Sequence, residues 1–303
     1  VAPSSGSDLR VYMADLLPAG TPTVNLPQST WGDADAWPTG FLELWAEERG
    51  NDPGVVISEP APGDYSFQMV ATAAAIGGPN APEGDLLDTQ RVYVRADARD
   101  FGVFDRTMGV ADFIMPAAGA ATAPLVNGET ERTVVAASAC TACHNDPLQR
   151  ASHGGGYQSP QVCNMCHSPI GSFDEDGTPI GDGMQASGFW LASLIHGIHT
   201  SQVLGTWPGD AAPADFSEVT YPKNISDCEA CHFDDGQDLP NAWRANPTVE
   251  VCTTCHDVTF TGADPTHSGG FMADNSGCAL CHPATGAGVG QSVTGAHAVT
   301  TLK

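Results

Sequence analysis

All ten cysteines and all ten histidines of the chain fall between Cys140 and His297, and every cysteine belongs to a C-x-x-C pair followed directly by histidine. The five copies are "CTACH" (Cys140, Cys143, His144), "CNMCH" (Cys163, Cys166, His167), "CEACH" (Cys228, Cys231, His232), "CTTCH" (Cys252, Cys255, His256) and "CALCH" (Cys278, Cys281, His282). In this pattern the two thiols form thioethers with the two vinyl groups of one haem, and the adjacent histidine becomes the proximal ligand of its iron. A zinc site would need paired knuckles, with no reason for histidine to follow the second cysteine every time. Five disulfides would leave the histidines unexplained. The motifs therefore predict five haem c groups.

Five histidines remain once the proximal ligands are assigned: His153, His196, His199, His267 and His297. Five irons need five sixth ligands, and no histidine occurs before the first motif, so the count points to bis-histidine iron throughout. His196 and His199 lie three apart on a predicted helix, on neighbouring positions of one face, and can serve two haems packed on either side of it. Methionine is the rival sixth ligand; Met184 and Met272 are near enough in sequence, whereas Met165 lies inside its own attachment loop. Two histidines per iron hold potentials low, suited to electrons passing outward from quinol-level donors to weak oxidants.

The elements that must position these residues differ between the two parts of the chain. From Cys140 onward regular periodicity is weak. "GFWLASLIHGIHT" is the clearest helix, with Phe189, Leu191, Leu194, Ile195 and Ile198 at helical spacing. Hydrophobic residues there are too few for an ordinary core, so the macrocycles themselves must fill the interior. A compact unit of that length has a radius of gyration of roughly 15 Å, leaving each of five haems a share only about 19 Å on a side, so neighbouring haems are crowded into an unbroken redox chain. The first 130 residues read instead as strands broken by turns. "DYSFQMVATA" alternates Tyr65, Phe67 and Met69 with polar neighbours, "TQRVYVRAD" alternates around Val92 and Val94, and "GFLELWAE" and "GVVISE" are short apolar runs. The expected fold class is thus β plus multihaem: an N-terminal antiparallel β sandwich or split barrel over residues 1–130, structural or docking in role, then a loop-rich, sparsely helical pentahaem domain over 131–303.

The formal net charge of -25, from 36 acidic against 11 basic residues, repels phosphate backbones and anionic headgroups and argues against nucleic-acid or membrane-surface partners. The most apolar long stretch, Met108 to Val126, contains Asp112, two prolines and several small residues, a poor membrane span. No basic n-region followed by an apolar h-region is visible and the start at Val1 reads as a processed or trimmed end, so export through the periplasm to the outer cell surface is an expectation from the haem chemistry. "DEDG" at Asp174–Gly177, with Asp182 nearby, offers oxygen ligands for Ca²⁺ but lacks the full twelve-residue loop, and an ordinary acidic turn is the competing reading.

The haem-bearing part resembles the outer-membrane multihaem cytochromes of metal-reducing bacteria, the MtrC/OmcA family. The matching stretches are "RTVVAASACTACH" leading into "HGGGYQSPQVCNMCH", then "LIHGIHT", "VTYPKNISDCEACH", "VCTTCHDVTF" with His267 following, and "CALCH" with the late histidine of "TGAHA". The resemblance implies that His153, His196, His199, His267 and His297 are the distal ligands and that the haems lie in two crossing rows. It also implies one β-plus-pentahaem unit where the decahaem members have two, without a spare cysteine for the family's lipid anchor or redox disulfide. The expected function is that of a non-enzymatic carrier passing electrons to minerals, soluble shuttles, partner cytochromes or copies of itself in a conducting filament. The competing expectation is a nitrite or hydroxylamine converting enzyme with one open haem.

Overall fold

The computed structural model describes residues 9–16, 41–49, 56–62, 64–68, 89–97, 106–114, 123–124, 135–144, 159–167, 172–173, 179–180, 191–206, 212–233, 242–245, 247–260, 263–271, 277–286 and 292–297. The N-terminal part is antiparallel, as its short alternating runs predict. Strands β1 (Leu9–Leu16), β2 (Phe41–Arg49), β5 (Thr89–Asp97), β6 (Arg106–Ile114) and β7 (Ala123–Pro124) form one sheet in the order β2-β1-β5-β6-β7. β3 (Val56–Ala61) and β4 (Asp64–Gln68) make a separate two-stranded ribbon. Among the described residues the strands of this part amount to that sheet and that ribbon; a sandwich or split barrel remains an expectation. Met69, at the end of the alternating run, lies outside the described residues.

The central strand departs from the predicted face. On β5 the deeply buried side chains are Arg91, Tyr93 and Arg95, while Val92 and Val94 are only half-buried. The reason lies in the register: Arg91 sits directly across from Asp112 of β6, and its guanidinium donates from Nε and Nη2 to both carboxylate oxygens at 2.7 and 2.8 Å. The buried charge is thus paired and hydrogen-bonded, which removes most of the penalty of taking it out of water. A third donor, Nη1, reaches the carbonyl of Gln161 at 3.3 Å, tying the sheet to the second haem motif.

Beyond residue 135 the helices are short: α1 (Ala137–His144), α2 (Pro160–Cys166), α3 (Leu191–His199), α4 (Ala242–Ala245), α5 (Val249–Cys252), α6 (Cys278–Cys281) and α7 (Val293–Ala296), with a 3₁₀ turn at Cys228–Ala230. Two small ribbons, β8 (Ser172–Phe173) with β9 (Pro179–Ile180) and β10 (Val203–Thr206) with β11 (Pro213–Asp215), complete the described elements. The predicted helix around His196 and His199 is α3, its first turn beginning at Leu191. In this part the buried apolar side chains among the described residues are Ala136, Ala139, Val162 and Leu204, a sparse set with no large ring in it. Among the described residues no helix is long and apolar enough to cross a membrane.

Candidate haem sites

Each motif folds as a single helical turn. The histidine N–H donates to the carbonyl of the first cysteine at 2.9 Å in His167, His232 and His256 and at 2.8 Å in His282, while the first motif lies within α1. That turn brings the cysteines at i and i+3 and the histidine at i+4 to one side, as attachment at one macrocycle edge and its iron requires. Prolines and hydroxyls start these turns: Ser159 accepts from the Val162 N–H ahead of Pro160, and Thr248 accepts from the Val251 N–H. The nine described cysteines form no disulfide, and burial pushes the Cys140 thiol up to about 11 and raises Cys228 and Cys231 as well. The side chain of Cys166 lies outside the described residues.

Four proximal histidines each face one of the remaining histidines at nearly constant separation. Ring centroids lie 6.0 Å apart for His144 and His199, 6.2 Å for His232 and His196, 6.2 Å for His256 and His297, and 6.1 Å for His282 and His267. Two Fe–N bonds of about 2 Å, each extended by about 1 Å from nitrogen to ring centre, demand a spacing of about 6 Å. A direct hydrogen bond between two imidazoles would bring the centroids closer. Among the described residues no group of three or more His, Cys, Asp or Glu converges as a metal cage; the histidines approach in twos, leaving room between them for one iron.

The distal rings are aimed by backbone carbonyls one turn earlier. Nδ1 of His196 donates to Ala192 at 2.6 Å, Nδ1 of His199 to Ile195 at 2.7 Å, and Nδ1 of His297 to Val293 at 2.8 Å. A carbonyl only accepts, so Nδ1 carries the proton and the Nε2 lone pair is left to bind metal. Burial also holds the His196 imidazole below the ordinary histidine range, against the opposing pull of the Ala192 carbonyl, favouring the neutral ligand form. The loop bearing His267 is closed by a reciprocal pair in which the N–H groups of Thr259 and Thr266 each donate to the other's hydroxyl, at 2.8 and 3.0 Å. Ser292 caps α7 through the Gly295 N–H, and Thr294 donates its hydroxyl to Ala284, carrying His297 back past the fifth motif to the fourth.

Of the residues predicted from sequence, His153, Met184, Met272 and the acidic turn at Asp174–Gly177 with Asp182 lie outside the described residues, as does the side chain of Met165. His167 is buried, and its carbonyl accepts from the Leu191 N–H at the start of α3. Three aromatic residues not foreseen lie against these histidines: Tyr221 edge-on to His199 at 5.6 Å, Trp243 stacked on His232 at 5.2 Å and Phe260 tilted against His267 at 4.5 Å. None belongs to a spacing pattern, and only packing brings them to the histidines.

Comparison with known proteins gives a family and a fold. Residues 132–297 match the family described as outer membrane cytochrome MtrC/MtrF-like, domains II/IV. Among curated proteins none matches the chain. The fold is similar to that of MtrC from Shewanella baltica OS185, with a TM-score of 0.60 and 22% identity over 93% of this chain and 39% of the other. It is also similar to the outer membrane decahaem cytochrome OmcA, with a TM-score of 0.64 and 20% identity over 98% of this chain and 44% of the other. The chain thus spans less than half the length of either relative.

Proposed function

The chain belongs to the outer membrane cytochrome MtrC/MtrF-like family, to which more than half its length is matched, and on that premise we propose that it is a pentahaem electron carrier acting at the outer cell surface. The observation that carries this reading is the 6.0–6.2 Å spacing of four histidine pairs, the gap that one bis-ligated iron requires. Haem c, when bound, supplies an iron that takes up and gives back one electron. The protein's part is to hold and insulate. Cys140 and Cys143, Cys163 and Cys166, Cys228 and Cys231, Cys252 and Cys255, and Cys278 and Cys281 tether one macrocycle each. The axial pairs are His144 with His199, His232 with His196, His256 with His297, and His282 with His267; His167 and His153 are paired by elimination.

At the four paired sites both axial positions fall to histidine, leaving those irons no site for nitrite or hydroxylamine, and this favours a carrier over an enzyme. Sharing α3 between His196 and His199 keeps the first and third sites adjacent, which supports direct transfer between them. Electrons leave at haem edges, to minerals, soluble shuttles or partner cytochromes, without a shaped pocket. Residues 1–130 act as a β-rich docking unit, a sandwich or split barrel, beside the pentahaem unit of 131–303. The acidic surface and export through the periplasm fit an extracellular location. OmcA is a decahaem cytochrome, and five motifs in a chain that covers 44% of it support a five-haem unit, which gains span by assembling with copies of itself.

Intact mass together with magnetic circular dichroism tests the reading. Five haems per chain, all low-spin when oxidised and none binding carbon monoxide when reduced, is the expected result. Fewer haems, or one stoichiometric high-spin iron, overturns it. Sedimentation over a wide concentration range tests self-assembly, which a constant monomer mass would exclude.

A further inference from the structure

The four described pairs share one spacing but differ in the angle between ring planes. It is 72° for His144 with His199, 13° for His196 with His232, 55° for His256 with His297 and 53° for His267 with His282. This angle has electronic consequences. The filled π orbital of an imidazole, normal to its ring, donates into one of two iron d orbitals. Parallel rings donate into the same orbital and split the pair; crossed rings donate into both and leave them nearly equal. A parallel site therefore gives an ordinary rhombic low-spin resonance, whereas a crossed site gives a single large-gmax feature and a more positive potential, a tuning that adds to the axial-ligand and outer-shell levers of haem proteins.

At each of the two extreme pairs an aromatic side chain lies against one ligand, and at the 53° pair Phe260 lies 4.5 Å from His267 at a tilt of 30°. Tyr221 meets His199 edge to face, at 88° and 5.6 Å. Its segment is held to the end of α3 by the Ser201 hydroxyl, which donates to the Val219 carbonyl from a backbone at φ 62°, and its hydroxyl is hydrogen-bonded to Cys231. The carbonyl of Ile195 fixes one nitrogen of His199, and the Tyr221 ring limits the swing that remains. At the third site Trp243 stacks on His232 at 26° and 5.2 Å. The Arg244 guanidinium lies 4.6 Å over the Trp243 ring and donates to Glu229 at 2.9 Å, pinning α4 to the attachment turn of the same motif.

We propose that Tyr221 and Trp243 are positioning residues that set the ligand-plane angle at two haems, Tyr221 holding the His144/His199 site crossed and Trp243 holding the His232/His196 site parallel. The inference rests on the bis-histidine reading above. One chain thereby makes electronically distinct sites from identical ligands, with the two extremes on haems whose distal histidines share one helix.

Electron paramagnetic resonance of the oxidised holoprotein, with redox titration, tests it. The unaltered protein gives one large-gmax signal and at least one rhombic signal. Tyr221→Ala converts the large-gmax signal to a rhombic one and moves one haem to a more negative potential, while Tyr221→Phe, which keeps the ring, preserves both properties. Trp243→Leu shifts one rhombic signal towards large gmax and Trp243→Phe restores it, each change leaving the other site's signal in place. If Tyr221→Ala loses a haem by mass, Tyr221→Leu, which keeps bulk without a flat ring, is read instead. Absence of a large-gmax signal from the unaltered protein, or unchanged signals in Tyr221→Ala or Leu and Trp243→Leu with five low-spin haems retained, overturns the inference alone. A high-spin iron or fewer than five haems in the unaltered protein overturns the functional reading beneath it.

Discussion

The ring of His267 leaves no room beside it: a Cβ added at Gly269 would lie 2.7 Å from its Cε1 and 3.1 Å from its Nδ1. A methyl group there must push the imidazole out of line with its partner His282, because the loop is closed on the other side by the Thr259 and Thr266 pair. Gly269→Ala is therefore expected to turn one haem in five high-spin, read by magnetic circular dichroism, and to let that iron bind carbon monoxide. His297→Ala removes the ligand facing His256 outright and gives the same signature at a different haem, so the double variant should show two such irons. The chemistry at this scale was legible before any fold was known, since cysteine, cysteine and histidine act within one helical turn. The need for glycine at 269 was not, because it arises from a ring that folds back over its own loop.

α3 concentrates the connections. Besides presenting His196 and His199, it begins with the Leu191 N–H donating to the His167 carbonyl, and Gln202, three residues beyond its end, donates its side-chain amide to the Thr254 carbonyl in the fourth motif at 2.6 Å. Four of the five motifs thus bear on this one helix or its flank. Gly197 is packed so closely that a Cβ would come 2.6 Å from Leu204 Cδ2. Gly197→Ala should cost about 1–3 kcal/mol through overpacking against β10, seen as a lower melting temperature, and should broaden the signals of two haems together, where a change at Gly269 touches one. Helical spacing of the apolar residues made this element readable from sequence. Which haem each of its histidines serves was not readable, because His144 and His232 approach from opposite ends of the segment.

At the scale of the whole molecule, two things take the place of a large apolar core. One is the buried ion pair of Arg91 with Asp112, 1% and 4% exposed, whose Nη1 reaches the Gln161 carbonyl just ahead of the second motif. Asp112→Ala leaves the buried guanidinium without its carboxylate and is expected to cost about 3–5 kcal/mol in denaturant unfolding; replacing both partners by apolar residues of similar size should cost far less. The other is the haem itself. With Ala136, Ala139, Val162 and Leu204 as the buried apolar side chains described beyond residue 135, cells unable to attach haem should yield a chain whose near-ultraviolet circular dichroism shows no fixed packing there, since the energy of cofactor attachment is also the energy of folding.

Five C-x-x-C-H motifs and a surplus of five histidines follow from the sequence alone, because each motif works through neighbours within one turn of chain. An alternating strand pattern announced the antiparallel sheet for the same local reason. Tertiary structure alone decided which distant histidines face each other, at what angle their planes cross, and that β5 buries Arg91 and Tyr93 ahead of its valines. Those outcomes depend on contacts between segments far apart in the chain, where the register of strands and the packing of loops select among partners that spacing leaves equivalent.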